Sequence, residues 1–552
     1  MIEYLKNIFL FDPKTPLGFT SLYFWIFFTI VFLGYYLINK NNFIRSLYLL
    51  LVSLFFYYKT SGVFFILLIF STLFNYWFGN IIYNKEKISS KKIFLALSIF
   101  VNLLVLSYFK YTFFIIGTIN HIFGTNIIPY DYIMDFVNIF SGSNFNVSKI
   151  LLPAGISFYM FQTMSYTIDI YKNKIVPVKN IVDFGFFVSF FPLLVAGPIL
   201  RASEFIPQIY KKFQLSRYEF GMAIFLILKG FVKKIMIGDY LAVNFIDRVF
   251  SNPARYSGFE NFMATISYSL QVYMDFSAYS DIAIGIALLM GFRIPANFNS
   301  PYKAKNVGDF WKRWHISLSS WLKDYLYIPL GGNRNASTGT FVNIGLFFLI
   351  FGLMAKNLYV SLILLIIPLF LFILSYFVPK TKKFIITNTN LMITMLLGGL
   401  WHGSSWNFLI WGGLNGAGIV VYKLWKKISP YEKINRWWAY VIKIVITFSF
   451  ITFTRIFFRA KDLETAKSLM SQIWNNFNIS GISKIITGYY KIWIILILGF
   501  ASHWLSYDLK NKWKDKFINA PHWVQVIIVV LTIFIVYQSI CSDMQAFIYF
   551  QF

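Results

Sequence analysis

Two of the five histidines lie in stretches of sequence that could support proton transfer. His402 lies in LLGGLWHGSSWNFLIWGGLNGAG, a glycine-rich apolar stretch at 396–418, and His315 lies among tryptophans in FWKRWHISLSSWLKDYLYIPLGGNR at 310–334. The ordinary pKa of histidine is about 6.5, so an imidazole can act as a general base near neutral pH. A titratable group inside an apolar segment is costly, which favours a functional role. The alternative is a buried histidine that is satisfied by a backbone carbonyl or only packs against its neighbours.

The elements that carry these histidines are predicted to be membrane helices. Of the 552 residues, 58% are hydrophobic and only 13% are charged, whereas about a quarter of the residues in soluble domains are charged. Apolar runs near span length recur along the whole chain and predict roughly 11–16 membrane elements. We therefore expect an all-α, polytopic helical bundle. Its candidate spans are 21–38, 44–58, 62–83, 93–109, 151–171, 219–237, 259–274, 341–355, 358–378, 405–425, 438–458, 490–507 and 523–541.

The net charge of +28 comes from short loops between apolar runs. Lysine and arginine in such loops meet anionic lipid headgroups and fix the orientation of the helices, so the charge predicts a lipid bilayer as partner and no nucleic acid. The single cysteine, Cys541, excludes an intramolecular disulfide and a thiolate metal cluster. No metal site is predicted.

Two segments are expected to depart from simple spanning helices. Residues 181–200 contain SFFPLLVAGPIL, whose prolines and glycine break a helix, and we predict a re-entrant segment there. Residues 310–328 predict an amphipathic, interfacial helix that Pro329 ends. Its apolar face would carry Trp311, Trp314, His315, Leu318, Trp321, Leu322 and Tyr325, and its polar face Lys312, Arg313, Ser317, Ser320, Lys323 and Asp324.

Two other patterns have simpler explanations. Asp275 and Asp281 lie in an apolar helix, where unpaired carboxylates are costly, so a structural pair with lysine or arginine is favoured over catalysis. The spacing of His503 and Asp508 matches the HxxxxD pattern of soluble-type glycerolipid acyltransferases. This two-residue pattern lacks a supporting glycine-rich or basic context, and we interpret it as a chance match.

Long ordered blocks of the chain resemble the membrane-bound O-acyltransferases, in the branch of alginate O-acetyltransferases and D-alanyl-lipoteichoic acid transfer proteins. The blocks are SYTIDIYKNK at 165–174, FFPLLVAGPILRASEFIPQ at 190–208, DFSAYSDIAIG at 275–285, residues 310–334, LLGGLWHG at 396–403 and FIYFQF at 547–552. The resemblance implies one domain over 1–552, with N-terminal helices at 1–150, a catalytic core at 151–425 and C-terminal helices at 426–552. The two apolar runs at 341–383 depart from the family pattern and predict a helical-hairpin insertion.

The resemblance also implies a central funnel in the cytoplasmic membrane of a bacterium, with both histidines near its constriction. His402 would be the catalytic base and His315 a second catalytic residue that orients or polarises a thioester. The remaining candidates would bind substrate: Trp401, Asn407, Asn333, Arg334, Tyr325, Asp324, Asp281, Lys312 and Arg313. Lys303 and Lys305 join Lys312 and Arg313 as candidates to hold donor phosphates, and membrane anchoring is their alternative role.

The implied reaction is acetyl transfer from a cytosolic thioester, acetyl-CoA or an acyl carrier, with no permanently bound cofactor. No serine-hydrolase motif is present, so the resemblance implies an extracytoplasmic acyltransferase or glycan-modifying protein as partner. D-alanyl transfer to teichoic acid remains an alternative. So does a transporter or flippase whose histidines make no bonds, although no inverted repeat is visible. The sequence leaves the glycan open.

Overall fold

A computed structural model gives the fold of residues 10–12, 16–141, 146–147, 149–354, 379–479 and 481–540, and of the single positions 359, 362, 366 and 547. These residues form helices and connecting turns, with no strand among them. They group into two compact units. Unit 1 takes its described residues from Met1–Phe100, Ala154–Leu318 and Asn435–Phe552, and unit 2 from Val101–Pro153 and Ser319–Ile434. The division at 150 and 425 stays a prediction.

The α-helices of the described residues are numbered in chain order. They are α1 (Leu22–Ile38), α2 (Asn42–Ser61), α3 (Phe65–Asn84), α4 (Ile88–Leu106), α5 (Thr112–Phe123), α6 (Tyr132–Ser141), α7 (Ile156–Tyr171), α8 (Ile181–Ser189), α9 (Ala202–Ile209), α10 (Arg217–Phe231), α11 (Asp247–Ser251), α12 (Gly258–Leu289), α13 (Val307–Arg313), α14 (Ile316–Leu322), α15 (Thr338–Met354), α16 (Pro379–His402), α17 (Trp406–Ile428), α18 (Trp437–Arg459), α19 (Leu463–Asn475), α20 (Ile482–Gly488), α21 (Tyr490–Trp504), α22 (Tyr507–Asn519) and α23 (His522–Gln538). Wider π-helical turns occupy Ser107–Tyr111, Val232–Asp239, Ala242–Ile246 and Lys323–Tyr327.

The predicted all-α, polytopic membrane fold is confirmed. Within the described residues, five helical stretches are long and apolar enough to span a membrane: Asn42–Asn84, Ile88–Phe123, Gly258–Leu289, Lys382–His402 and Trp437–Arg459. Two further pairs, α20 with α21 and α22 with α23, bend by 82° and 118° and raise the number to seven if each pair is one span. The predicted run at 259–274 is the first half of α12, which continues to Leu289. The central funnel stays a prediction.

In unit 1, α10 packs closely along α12 because glycines occupy the contact. A methyl group on Gly230 would lie 2.9 Å from the carbonyl oxygen of Ala278, and one on Gly285 would lie 2.8 Å from that of Ala223. Backbones that approach this closely leave no room for larger side chains. The contact brings the lysines of the α10 region beside the aspartates of α12.

The predicted helix break in 181–200 is confirmed. Helix α8 ends at Ser189, and the irregular backbone that follows is buried in unit 1. Protein groups satisfy part of this backbone: the Phe191 N–H donates to Ser53 Oγ at 3.2 Å, and the Gly197 N–H to the Leu193 carbonyl at 3.0 Å. Irregular backbone is tolerated in a membrane protein under this condition. That the segment is re-entrant stays a prediction.

In unit 2, α16 and α17 pack along each other, and α15 packs against α16. Helix α15 covers the first predicted arm of the 341–383 insertion. The second predicted arm, 358–378, lies almost wholly outside the described residues, and so do Cys541 and all of the closing FIYFQF block except Phe547. The hairpin therefore stays a prediction.

Candidate active site

The chain around His315 does not form the continuous helix that we predicted. Helix α13 ends at Arg313 and α14 starts at Ile316, and His315 between them has φ +45°. The prediction of one amphipathic helix from Phe310 to the residue before Pro329 is therefore wrong. A positive φ at a residue other than glycine is uncommon and is stabilised only when surrounding contacts fix it.

Those contacts come from Asn297, which lies in a loop before α13. The Ile316 N–H donates to the Asn297 carbonyl at 3.0 Å, and the Ser317 N–H and Oγ both donate to Asn297 Oδ1, also at 3.0 Å. Asn297 thus satisfies the start of α14, where N–H groups lack partners within the helix. Periodicity along the sequence cannot show this, because the partner lies in a different segment.

The predicted apolar and polar faces nevertheless match the burial of the side chains. All seven predicted apolar-face residues except Trp311, which is half-buried, are buried, and none of the six polar-face residues is. The division into buried apolar and less buried polar residues holds because it depends on residue type, which the helix break does not change. The segment thus turns its hydrophobic residues inward without being one helix.

The His315 side chain is fully buried in unit 1, at 0% exposure. Its ring lies 4.6 Å from that of Phe276, nearly perpendicular, and 6.4 Å from that of Phe158 in a stacked arrangement. His315 lies outside the helices long enough to span a membrane. Burial lowers the pKa of His315 to about 3, so its imidazole is neutral at pH 7. A neutral imidazole can donate one hydrogen bond and accept another.

His402 is the last residue of α16 in unit 2 and is 3% exposed. Its ring lies edge-on to two indoles, those of Trp401 and Trp411, each at 5.0 Å between ring centroids. Asn407, in the first turn of α17, is buried in the same unit. His402, Trp401 and Asn407 therefore share the buried region where α16 ends and α17 begins.

Glycines make this region compact. A methyl group on Gly399 would lie 2.3 Å from the Phe408 carbonyl oxygen, and one on Gly412 would lie 2.3 Å from that of Met395. Gly403, directly after His402, faces the Phe408 ring, which a methyl group would meet at 2.0 Å. The glycines thus allow α16 and α17 to approach closely on both sides of the histidine.

Two residues that the sequence did not single out contact the end of α16. Lys110 and Tyr111, in the π-helical turn Ser107–Tyr111, donate hydrogen bonds to backbone carbonyls of residues 400–402. The available signal was the apolar run at 93–109, which is followed directly by a single cation, Lys110. The positive-inside tendency assigns such a cation to a loop.

The other unit 2 candidates lie on the segment that follows α14. Tyr325 is buried, Asp324 is half-buried, and Asn333 and Arg334 are exposed. Asn333 Oδ1 accepts a hydrogen bond from the Tyr327 hydroxyl at 2.7 Å. Their predicted roles in substrate binding stay predictions.

The GGNR turn at 331–334 takes a backbone conformation that favours glycine. Gly331 and Gly332 have φ values of +112° and +55°. Asn390 of α16 binds the turn, since its Nδ2 donates to the carbonyls of Gly332 at 3.1 Å and Asn335 at 3.2 Å. The turn is thereby fixed to the helix that carries His402.

The aspartates of α12 form the structural ion pairs that we predicted. Asp281 contacts Lys229 at 2.9 Å and Lys233 at 2.7 Å. Asp275 contacts Lys234 at 2.5 Å, and Lys234 also contacts Asp239 at 2.8 Å. Both carboxylates are therefore engaged within unit 1, and the role of Asp281 in substrate binding stays a prediction.

The basic residues proposed to meet donor phosphates lie on and before α13 in unit 1. Lys312 is exposed, and Arg313 is paired with Asp309 at 3.0 Å. Lys303 Nζ donates to the Leu505 carbonyl at 2.8 Å, and Lys305 lies over the Tyr440 ring at 4.6 Å. Cations at the end of α13 also interact favourably with the helix dipole.

The HxxxxD spacing does not correspond to a paired site, because His503 is buried whereas Asp508 is exposed. His503 Nε2 accepts the Tyr302 N–H at 3.2 Å. Among the residues described, no group of three or more His, Cys, Asp or Glu side chains could hold a metal ion.

The chain is similar in sequence to bacterial O-acetyltransferases along most of its length. The peptidoglycan O-acetyltransferase of Helicobacter pylori is 31% identical over 97% of both chains. The probable alginate O-acetylase AlgI of Pseudomonas aeruginosa is 34% identical over 81% of this chain and 73% of its own. The teichoic acid D-alanyltransferase of Bacillus subtilis is 26% identical over 56% of this chain and 68% of its own.

A family model described as the membrane-bound O-acyltransferase family matches residues 21–354. The matched residues include His315 and end before His402, whose region is covered by the match to the Helicobacter pylori protein along nearly the whole chain. The chain therefore belongs to the membrane-bound O-acyltransferase family, and it is an acyltransferase.

Proposed function

We propose that this enzyme moves an acetyl group from cytosolic acetyl-CoA to a hydroxyl group, for O-acetylation of a polysaccharide outside the cytoplasmic membrane of a bacterium. The observation that carries the proposal is the placement of His402. It ends an apolar helix of membrane-spanning length and is buried among indoles and close-packed glycines. Such a position is costly for a titratable group and is retained where the group performs chemistry.

In the proposed reaction, His402 is the general base. It takes the proton of the acceptor hydroxyl while that oxygen bonds to the thioester carbonyl carbon. The carbon–sulfur bond then breaks, the acetyl group remains on the acceptor oxygen, and coenzyme A leaves as the thiol after the thiolate takes up a proton. A positioned base contributes about 10²–10⁴-fold to the rate of such a step.

His315 is proposed to orient the donor thioester or polarise its carbonyl oxygen. Its low pKa supports a neutral hydrogen-bond donor rather than a cation at pH 7. Asn407 and Asn333 are further donor candidates, and a donor aimed at the developing oxyanion typically contributes about 10²–10³-fold.

The charged part of the donor is proposed to meet the basic residues on and before α13. The exposure of Lys312 and Lys305 supports this role, whereas Arg313 already binds Asp309. Lysine binds phosphate as a point charge and arginine binds it bidentately. Such a site would hold the carrier in the cytosol while its acetyl group reaches the membrane interior.

The acceptor is proposed to be a cell-envelope polysaccharide, reached through a separate extracytoplasmic acyltransferase. The peptidoglycan O-acetyltransferase matches this chain along 97% of both sequences, which makes peptidoglycan the first acceptor to test. Alginate and D-alanylated teichoic acid, named for other relatives, are the comparison arms.

The proposal is tested with inside-out membrane vesicles from the native bacterium, in which a deletion of the gene is complemented with each variant. The vesicles receive acetyl-CoA labelled in the acetyl group, and base-labile label in the envelope polymer is measured. We expect His402→Ala to lower the rate by about 10²-fold or more. The matched control is His522→Ala, which removes an exposed histidine. A normal rate in His402→Ala would refute the proposal. So would label that crosses the membrane only as a free small molecule and never becomes attached to the polymer.

A further inference from the structure

The end of α16 is held by a second segment of unit 2. Lys110 Nζ lies 2.5 Å from the carbonyl oxygen of Trp401 and 3.5 Å from that of His402. The hydroxyl of Tyr111, the next residue, donates to the Leu400 carbonyl at 2.8 Å. Two adjacent side chains thus contact three successive carbonyls, the last of which belongs to the catalytic histidine.

These contacts take the place of the usual C-terminal cap of a helix. The last four carbonyls of an α-helix have no partner within the helix, and a glycine in the left-handed region commonly provides one. A glycine, Gly403, does follow His402, but its φ is not positive. Its absent side chain instead makes room for the Phe408 ring. The final carbonyls of α16 are therefore bound from outside the helix.

The segment that supplies the donors is itself fixed in unit 2. Its π-helical turn is anchored by Tyr108, whose hydroxyl donates to Asp131 Oδ1 at 2.8 Å, and Asp131 is fully buried. Lys110 is 8% exposed, and its ammonium group also lies 5.8 Å from the centre of the Trp401 ring. Single π-helical turns within helices are frequent at functional sites.

From this geometry we propose that Lys110 and Tyr111 are positioning residues that set the direction of the His402 imidazole. The inference rests on the proposed function of His402. Lys110 binds the backbone of both Trp401 and His402 and contacts the indole that packs edge-on against the imidazole. Displacing the lysine would allow the last turn of α16 to rotate and carry the imidazole with it.

The proposal predicts a loss of kcat with little change in KM for acetyl-CoA. A misplacement of about 1 Å in a catalytic group can cost about 10²-fold in rate. Donor affinity depends on other residues and should be retained. A purely structural role would instead lower the amount of folded enzyme and leave the turnover of the remaining molecules unchanged.

The test uses the full chain in the vesicle assay, with rates divided by the amount of folded enzyme. Lys110→Met keeps the length of the side chain and removes its charge, and we expect kcat to fall by about 10²-fold. Lys110→Arg keeps the charge and donors and should recover a measurable part of this loss. Tyr111→Phe, which removes one hydroxyl, should lower kcat less than Lys110→Met.

Matched controls exist for both changes. Lys510 Nζ also donates to the carbonyl of a buried histidine near a helix end, that of His503 at 2.9 Å. The Tyr48 hydroxyl also donates to a helix carbonyl, that of Val31 at 3.0 Å. Lys510→Met and Tyr48→Phe lose equivalent bonds elsewhere and should keep normal kcat.

A normal kcat in Lys110→Met, with His402→Ala inactive, would overturn the positioning role and leave the proposed function intact. A raised KM at normal kcat would also overturn it, because it would make Lys110 a donor-binding group. Activity in His402→Ala would instead refute the proposed function itself. The two failures are therefore distinguishable.

Discussion

Gly399 of α16 and Gly412 of α17 face each other so closely that a methyl group on either would lie 3.1 Å from the Cα atom of the other. The same methyl groups would meet backbone carbonyl oxygens at 2.3 Å. Backbone cannot move aside as a flexible side chain can, so the two helices would have to separate. Gly399 lies three residues before His402, so this contact couples helix packing to the position of the proposed catalytic base.

We therefore expect Gly399→Ala to destabilise the protein by about 1–3 kcal/mol, the usual cost of overpacking, and to lower acetyl transfer as well. Thermal unfolding in detergent and the vesicle assay measure the two effects. Gly345→Ala is the control, because a methyl group there meets nothing within 4 Å. Unchanged stability in Gly399→Ala would show that α16 and α17 can separate without cost.

The conformation of His315 allows its backbone and side-chain roles to be separated. Asparagine tolerates positive φ better than most residues, so His315→Asn should fold. We expect it to lower acetyl transfer by about 10²-fold, because the imidazole donor is lost. His315→Val, whose β-branched side chain is strongly disfavoured at φ +45°, should reduce the amount of folded protein. Normal transfer in His315→Asn would restrict the role of His315 to the backbone.

These examples show which features the sequence reveals. The density of glycines in 396–418 indicates either close packing or a helix broken around a ligand, because a missing side chain is visible in the sequence and allows both; the structure shows close packing. The break at His315 is not visible, since it depends on Asn297 in a separate loop. Lys110 is less visible still, because its carbonyl partner on His402 lies 292 residues along the chain.

Replacement of Asp281 tests whether this predicted substrate-binding residue has a structural role instead. Asp281→Asn would leave Lys229 and Lys233 without the carboxylate that they share. Because all three residues are only half-buried, we expect a stability loss well below the roughly 3–5 kcal/mol of a fully buried pair. KM for acetyl-CoA should not change. A raised KM at unchanged stability would instead support substrate binding, and Asp508→Asn, at an exposed position, is the control.

Replacement of Lys312, the exposed lysine of α13, tests whether the donor phosphates bind there. Lys312→Ala should raise KM for acetyl-CoA about two- to fivefold, since an exposed ion pair contributes roughly 0.2–1 kcal/mol. The increase should shrink as salt is added, because salt screens exposed charges. Arg313→Ala should have a smaller effect on KM, because Arg313 is already paired with Asp309. The measurement is KM at low and high ionic strength, with the exposed Lys467 replaced as control. Equal KM values in Lys312→Ala and the unaltered enzyme would leave membrane anchoring as the role of this lysine.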